Sequence, residues 1–150
     1  MHILFICTAN INRSFMAEVI FKVRLKKYGR YDVTVSSAGL VNMKGEPADR
    51  IATQILVENG FDETDHRSAL LTDDSVARAD LIVVMEENQR RLIVETYPQA
   101  ETKIHLLKSY MKGCQETDSD IKDPYRKSTY QYRLCFSEIY LAIEGMLRSL

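Results

Sequence analysis

The chain has 150 residues with 20 Lys and Arg against 21 Asp and Glu, and its formal net charge of -1 gives no support for a nucleic-acid or membrane-surface partner. Its length suits one domain over residues 1–150, with a core that needs neither disulfides nor a metal, and 3 widely spaced cysteines make neither a disulfide framework nor a zinc pattern. No basic segment precedes a long apolar run at the start and nothing later reaches spanning length, so a cytoplasmic protein with free thiols is expected.

Ile3-Leu4-Phe5-Ile6 reads as a strand buried on both faces. A helix follows from about Ser14 to Tyr28, with Met16, Val19, Ile20 and Val23 on one face and Gly29 as its stop. Lys22, Arg24, Lys26 and Lys27 are expected on its solvated side. Tyr31 to Ser36 alternates as a strand does and ends in Ser37-Ala38-Gly39-Leu40. Ile51, Ile55 and Leu56 mark a second helix closed by Asn59-Gly60, and an irregular acidic stretch holding His66 comes next. Thr72 caps a short helical turn to about Ala79, and Leu81 to Met85 is the clearest buried strand. A helix from about Glu87 to Tyr97 stops against Pro98, and Lys103 to Leu107 is a fourth strand. After a long loop from about Lys108 to Lys127, Ser128 and Gln131 form a capping box for a last helix. Its apolar stripe is Cys135, Ile139, Ala142, Ile143 and Met146.

Strands alternating with helices imply an α/β fold, a doubly wound, four-stranded parallel sheet in three layers with helices on both faces. Ligands of such sheets bind beyond the carboxyl ends of the strands, where Cys7, Ser37 and the loop after Leu107 all fall. The first of these sites is the stretch Cys7-Thr8-Ala9-Asn10-Ile11-Asn12-Arg13-Ser14, set between a strand end and a helix start. Unpaired N–H groups and the positive end of the helix dipole make that position an anion site and favour a thiolate there. Arg13 is placed to grip two phosphate oxygens while Cys7 attacks phosphorus. Asp123, stiffened by Pro124, is the candidate proton donor for the leaving oxygen.

These residues, with Ser36-Ser37-Ala38-Gly39 and Asp123-Pro124-Tyr125, resemble in order the motifs of the low-molecular-weight protein tyrosine phosphatases. Ser37 to Leu40, Met85-Glu86 and Asp123 to Ser128 look most like the bacterial branch linked to capsule and exopolysaccharide export, whose usual partner is an autophosphorylating tyrosine kinase. The resemblance implies that a phosphotyrosine protein is the substrate and that Cys7 forms a phosphocysteine. In that scheme Arg13 stabilises the transition state, and Asp123 protonates the tyrosine oxygen before activating water. It implies a supporting network of Asn10, Ser14, Ser37 and His66, and pocket walls from Tyr125 and from Leu40 or Met43. No cofactor and no metal is expected, Asp118 and Asp120 reading as a solvated loop.

Three residues depart from the family pattern. Ala9 stands where glycine is usual, so a left-handed φ there costs stability or activity. Asn12 replaces a second loop cysteine, which removes a neighbouring disulfide partner for Cys7. Phe15 stands where proline is usual at the helix start, a change the first turn tolerates. Two other readings share the loop. A thioredoxin-coupled arsenate reductase needs a resolving thiol, for which Cys114 is the candidate because Cys135 lies on a core stripe. A catalytically weak phosphate-binding module is the third reading, prompted by Ala9.

Overall fold

The computed structural model describes residues 1–113 and 117–150, so Cys114 lies outside the described residues. The strands are β1 (His2–Cys7), β2 (Thr34–Gly39), β3 (Leu81–Val84) and β4 (Ile104–Leu106), all parallel in the order β2-β1-β3-β4. The helices are α1 (Arg13–Lys27), α2 (Arg50–Glu58), α3 (Asp73–Arg78), α4 (Glu87–Thr96) and α5 (Thr129–Ser149), with 3-10 turns at Pro98–Lys103 and Leu107–Tyr110.

β1 alternates between two cores, as a strand covered on both faces must. Ile3, Phe5 and Cys7 join one cluster with Phe21 of α1, Ile55 of α2 and Ile143 of α5. Leu4 and Ile6 join the other with Val76 of α3 and Ile93 of α4. This is the expected three-layer doubly wound sheet. The chain winds from β1 to β2 on one side, then returns past β1 to β3 and β4, so the switch point lies at the carboxyl end of β1. Cys7 is the last residue of that strand.

Several local expectations are corrected. β2 starts three residues later than its alternation suggests, because Thr34 is the residue that pairs with His2. Tyr31 is 81% exposed, and Arg30 closes a turn on Asp32 at 2.9 Å. Ser37, Ala38 and Gly39 therefore belong to the strand itself. Arg24 is not on a solvated face: its Nε meets Glu144 of α5 at 2.6 Å in a half-buried ion pair. Of the predicted capping box on α5, the Ser128 half is made, its hydroxyl accepting from Gln131 N at 3.3 Å. The predicted stripe from Cys135 to Met146 is buried throughout.

Gly145 lies inside α5, where glycine is normally unfavourable. Its reason is contact: a Cβ there would sit 2.0 Å from the carbonyl oxygen of Tyr110. Gly145→Ala is therefore expected to destabilise by about 1–3 kcal/mol, since the overpacking outweighs the gain in helix propensity. Urea denaturation followed by circular dichroism measures it, and an unchanged midpoint would refute the contact.

Candidate active site

The loop from Cys7 to Ser14 is shaped by residues on both sides of it. Beneath it, Leu40 N donates to Thr8 O at 2.9 Å and Val41 N donates to the same oxygen at 2.9 Å. The loop then crosses Gly39 so closely that a Cβ there would lie 2.9 Å from Thr8 O and 3.0 Å from the carbonyl carbon of Ala9. The glycine demanded by close approach is thus Gly39, across from the loop.

Ala9 does not adopt a left-handed backbone, and the loop residue that does is Asn10, with φ +56°. Asparagine tolerates that region better than most residues because its side chain bonds locally. Ala69 N donates to Asn10 Oδ1 at 2.9 Å, which fixes the amide orientation. The Nδ2 then donates to Ser14 Oγ and to Ser37 Oγ, each at 2.8 Å. Since Ser14 accepts from Asn10, its own proton is free to donate to Cys7 Sγ at 3.0 Å. The Ser14 hydroxyl is thereby a donor aimed at the sulfur.

Behind the loop, His66 Nε2 lies 2.6 Å from Asn10 O, and because a carbonyl only accepts, this nitrogen carries the proton. Ser37 Oγ donates to Glu18 Oε2 at 2.5 Å, with His66 Nδ1 4.0 Å from the same oxygen. Phe15 is fully buried with its ring centroid 4.8 Å from that of His66. The structure thus brings Asn10, Ser14, Ser37 and His66 together and adds Glu18 to them.

Arg13 is 2% exposed and held by three residues from two segments. Nη1 donates to Ile121 O at 2.7 Å and meets Glu86 Oε1 at 3.1 Å, while Nη2 lies 3.8 Å from Asp123 Oδ2. These contacts leave Nε and the remaining Nη2 donors for an anion. Asp123 is 45% exposed, and its Oδ1 accepts from Tyr125 N at 3.0 Å. Cys7, only 3% exposed, and Arg13 line a cavity of about 110 Å³. Its walls are Ala9, Ile11, Asn12, Met43, Asp123 and Tyr125. The Arg126 guanidinium lies 5.3 Å over the Tyr125 ring and braces that wall. Leu40 is not a wall: it packs instead against the second core cluster. Met43 lines the cavity together with Tyr125.

Sequence reasoning missed several supports. Asp49 caps α2 through Ile51 N and Ala52 N, accepts from Tyr132 at 2.7 Å, and faces Asn12 Nδ2 at 3.5 Å. Burial, and then that hydrogen bond, raise the Tyr132 pKa and keep its proton. Gln89, buried, accepts from Met85 N and Glu86 N and donates to Thr8 Oγ1 at 3.2 Å. Glu86 was visible only as part of a quoted motif and Asp49 was not singled out; the long-range partners of both lack any local signal. Asp118 meets Lys108 at 3.0 Å, and Asp120 accepts from Glu87 N at 2.9 Å.

A family model described as low molecular weight phosphotyrosine protein phosphatase matches residues 2–150. The chain belongs to that family. The phosphatase is 36% identical over 143 residues to a probable low molecular weight protein-tyrosine-phosphatase, EpsP, of Ralstonia nicotianae, covering 95% of this chain and 91% of that protein. It is 33% identical to a protein-arginine-phosphatase of Geobacillus stearothermophilus over 99% of this chain and 95% of that one. Its fold matches the low molecular weight protein tyrosine phosphatase of T. tengcongensis at a TM-score of 0.90, with 34% identity over 100% of this chain and 99% of the other. It is a cysteine-dependent phosphatase.

Cys135 is buried, 3% exposed, and burial pushes its thiol up to about 12. Such a thiol is a poor resolving nucleophile, as its place on the core stripe implies, and Cys114, the candidate for that role, lies outside the described residues. The role given to Asn10 has its own test. Asn10→Ala is expected to lose about 1–3 kcal/mol by leaving buried partners unpaired. Asn10→Gly, free of the left-handed penalty, should lose about 1 kcal/mol less. Equal denaturation midpoints for the two variants would refute the backbone argument.

Proposed function

We propose that the phosphatase hydrolyses phosphotyrosine in proteins through a phosphocysteine. The observation that supports it best is the cavity itself, with Cys7 and Arg13 lining it, apolar Ile11, Met43 and Tyr125 as walls and one carboxylate, Asp123, at its side. Such walls suit an aryl ring, which gains from burial and from aromatic contact. A phosphoarginine guanidinium, by contrast, needs several acceptors, and Asp123 is the one charged acceptor among the lining residues.

In this reading the Cys7 thiolate attacks phosphorus, the bond from phosphorus to the tyrosine oxygen breaks, and Asp123 gives that oxygen its proton. Arg13 and the inward N–H groups stabilise the charge that builds on the equatorial oxygens. Water then attacks the phosphocysteine, Asp123 takes a proton from it, and phosphate leaves with the thiolate regenerated. Asn10, Ser14, Ser37 and His66 act by holding the loop. No metal enters any step. The resemblance of Asp123 to Ser128 to the polysaccharide-export branch makes an autophosphorylating tyrosine kinase the proposed partner, met in the cytoplasm.

Cys7→Ser is expected to abolish turnover of an aryl phosphate, and Asp123→Asn to lower kcat by about 10²–10⁴. Unchanged rates in either variant would sink the mechanism. Phosphate release from phosphotyrosine, phosphoserine and phosphoarginine peptides decides the substrate class: the first is expected to dominate. Comparable turnover of phosphoarginine would overturn the aryl reading and leave the mechanism at Cys7 standing.

A further inference from the structure

Beside the catalytic cavity runs a second depression of about 440 Å³, between the segment around Asp123 and one side of α5. Asp123 lines both, so the two spaces meet at the proposed proton donor. The inner surface of the groove includes Pro124, Leu134 and Cys135. Its charged groups are Lys122, Lys127, Asp123 and Glu138. The two carboxylates are answered from elsewhere: Glu138 Oε2 meets Lys108 at 2.9 Å, and Asp123 faces Arg13. Both lysines are exposed, and among the described residues neither has an ion-pair partner. The groove therefore offers two unanswered positive charges over an apolar surface, next to the point where a phosphorylated side chain enters.

We infer that this groove is a substrate subsite that takes an acidic side chain, a carboxylate or a second phosphoryl group, one to three residues from the phosphotyrosine. The inference rests on the phosphotyrosine reading. Charge complementarity selects the occupant: a neutral neighbour leaves both ammonium groups in water, whereas an anionic one gains them at modest desolvation cost. The cationic lip also attracts the dianionic phosphate as it approaches. Continuity with the cavity through Asp123 identifies the occupant as part of the same peptide.

The test uses the full chain and paired phosphotyrosine peptides that differ by Glu against Gln at positions within three residues on either side. At low salt the wild type is expected to favour the Glu peptide about 3- to 5-fold in kcat/KM, mostly through KM, as one or two exposed charge pairs allow. A phosphoryl group in place of that carboxylate should raise the ratio. Near 1 M salt, where screening acts within about 3 Å, the ratio should approach one. It should also approach one at low salt in the Lys122→Gln, Lys127→Gln double variant. Because each protein is compared with itself on two peptides, any general loss of activity cancels. Equal turnover of the two peptides by the wild type, or a preference that survives in the double variant, overturns the subsite alone. Turnover of p-nitrophenyl phosphate without turnover of either peptide overturns the phosphotyrosine reading and the subsite with it.

Discussion

The site depends on one asparagine held in a conformation that most residues avoid. Asn10 turns the loop with φ +56°, and its amide bonds Ala69 N, Ser14 and Ser37. Three parts of the chain are thereby tied to one side chain: the segment before α3, the start of α1 and the end of β2. His66 closes the same unit by bonding the carbonyl oxygen of Asn10. A loop whose N–H groups must point inward has little hydrogen bonding of its own to hold it. The shape is instead imposed from outside by buried polar groups that would be costly to leave unpaired.

Arg13 solves a different problem, a guanidinium 2% exposed with no substrate to neutralise it. An isolated buried cation is expensive, so its partners must be built in. Glu86 and Ile121 O supply the close contacts, from the end of β3 and from the segment before Asp123. Asp123 is the more distant and more exposed partner, at 3.8 Å and 45% exposure. That asymmetry matters for the proposed mechanism: the firm contacts orient Arg13, while the loosely held carboxylate is left free for the proton transfer proposed for it. Ile121 N also donates to Met85 O, so the segment carrying Asp123 is anchored to the strand that leads to Glu86.

Where physics is local, the sequence was readable. The alternation of apolar residues in β1, the stripe of α5, the Thr72 cap and the Gly29 stop are decided within a few residues. The placement of Cys7, Arg13 and Asp123 at one sheet edge also followed from strand order. The misreadings share a cause in contacts distant along the chain. Tyr31 to Val33 alternate like a strand, but the pairing of Thr34 with His2 fixes where β2 begins. Leu40 sits at the right distance in sequence for a pocket wall, yet it packs on the other face of the sheet. Ala9 invited concern because a backbone angle cannot be read from residue identity. The close approach that needs a glycine belongs to Gly39, and the left-handed turn to Asn10.

Position 12 shows how a loop residue given up for one purpose serves another. Asn12 faces Asp49, whose two oxygens also cap α2 and accept the Tyr132 hydroxyl's hydrogen bond. Asp49 N in turn donates to Ile11 O at 2.7 Å. The rim that forms the apolar wall at Ile11 is therefore fastened through Asp49 to α5. The same helix presents Leu134, Cys135 and Glu138 to the neighbouring groove one turn further on. The Tyr132 anchor of the rim and one wall of the groove therefore sit on the same helix, while the lysines of the proposed subsite come from the segment that carries Asp123.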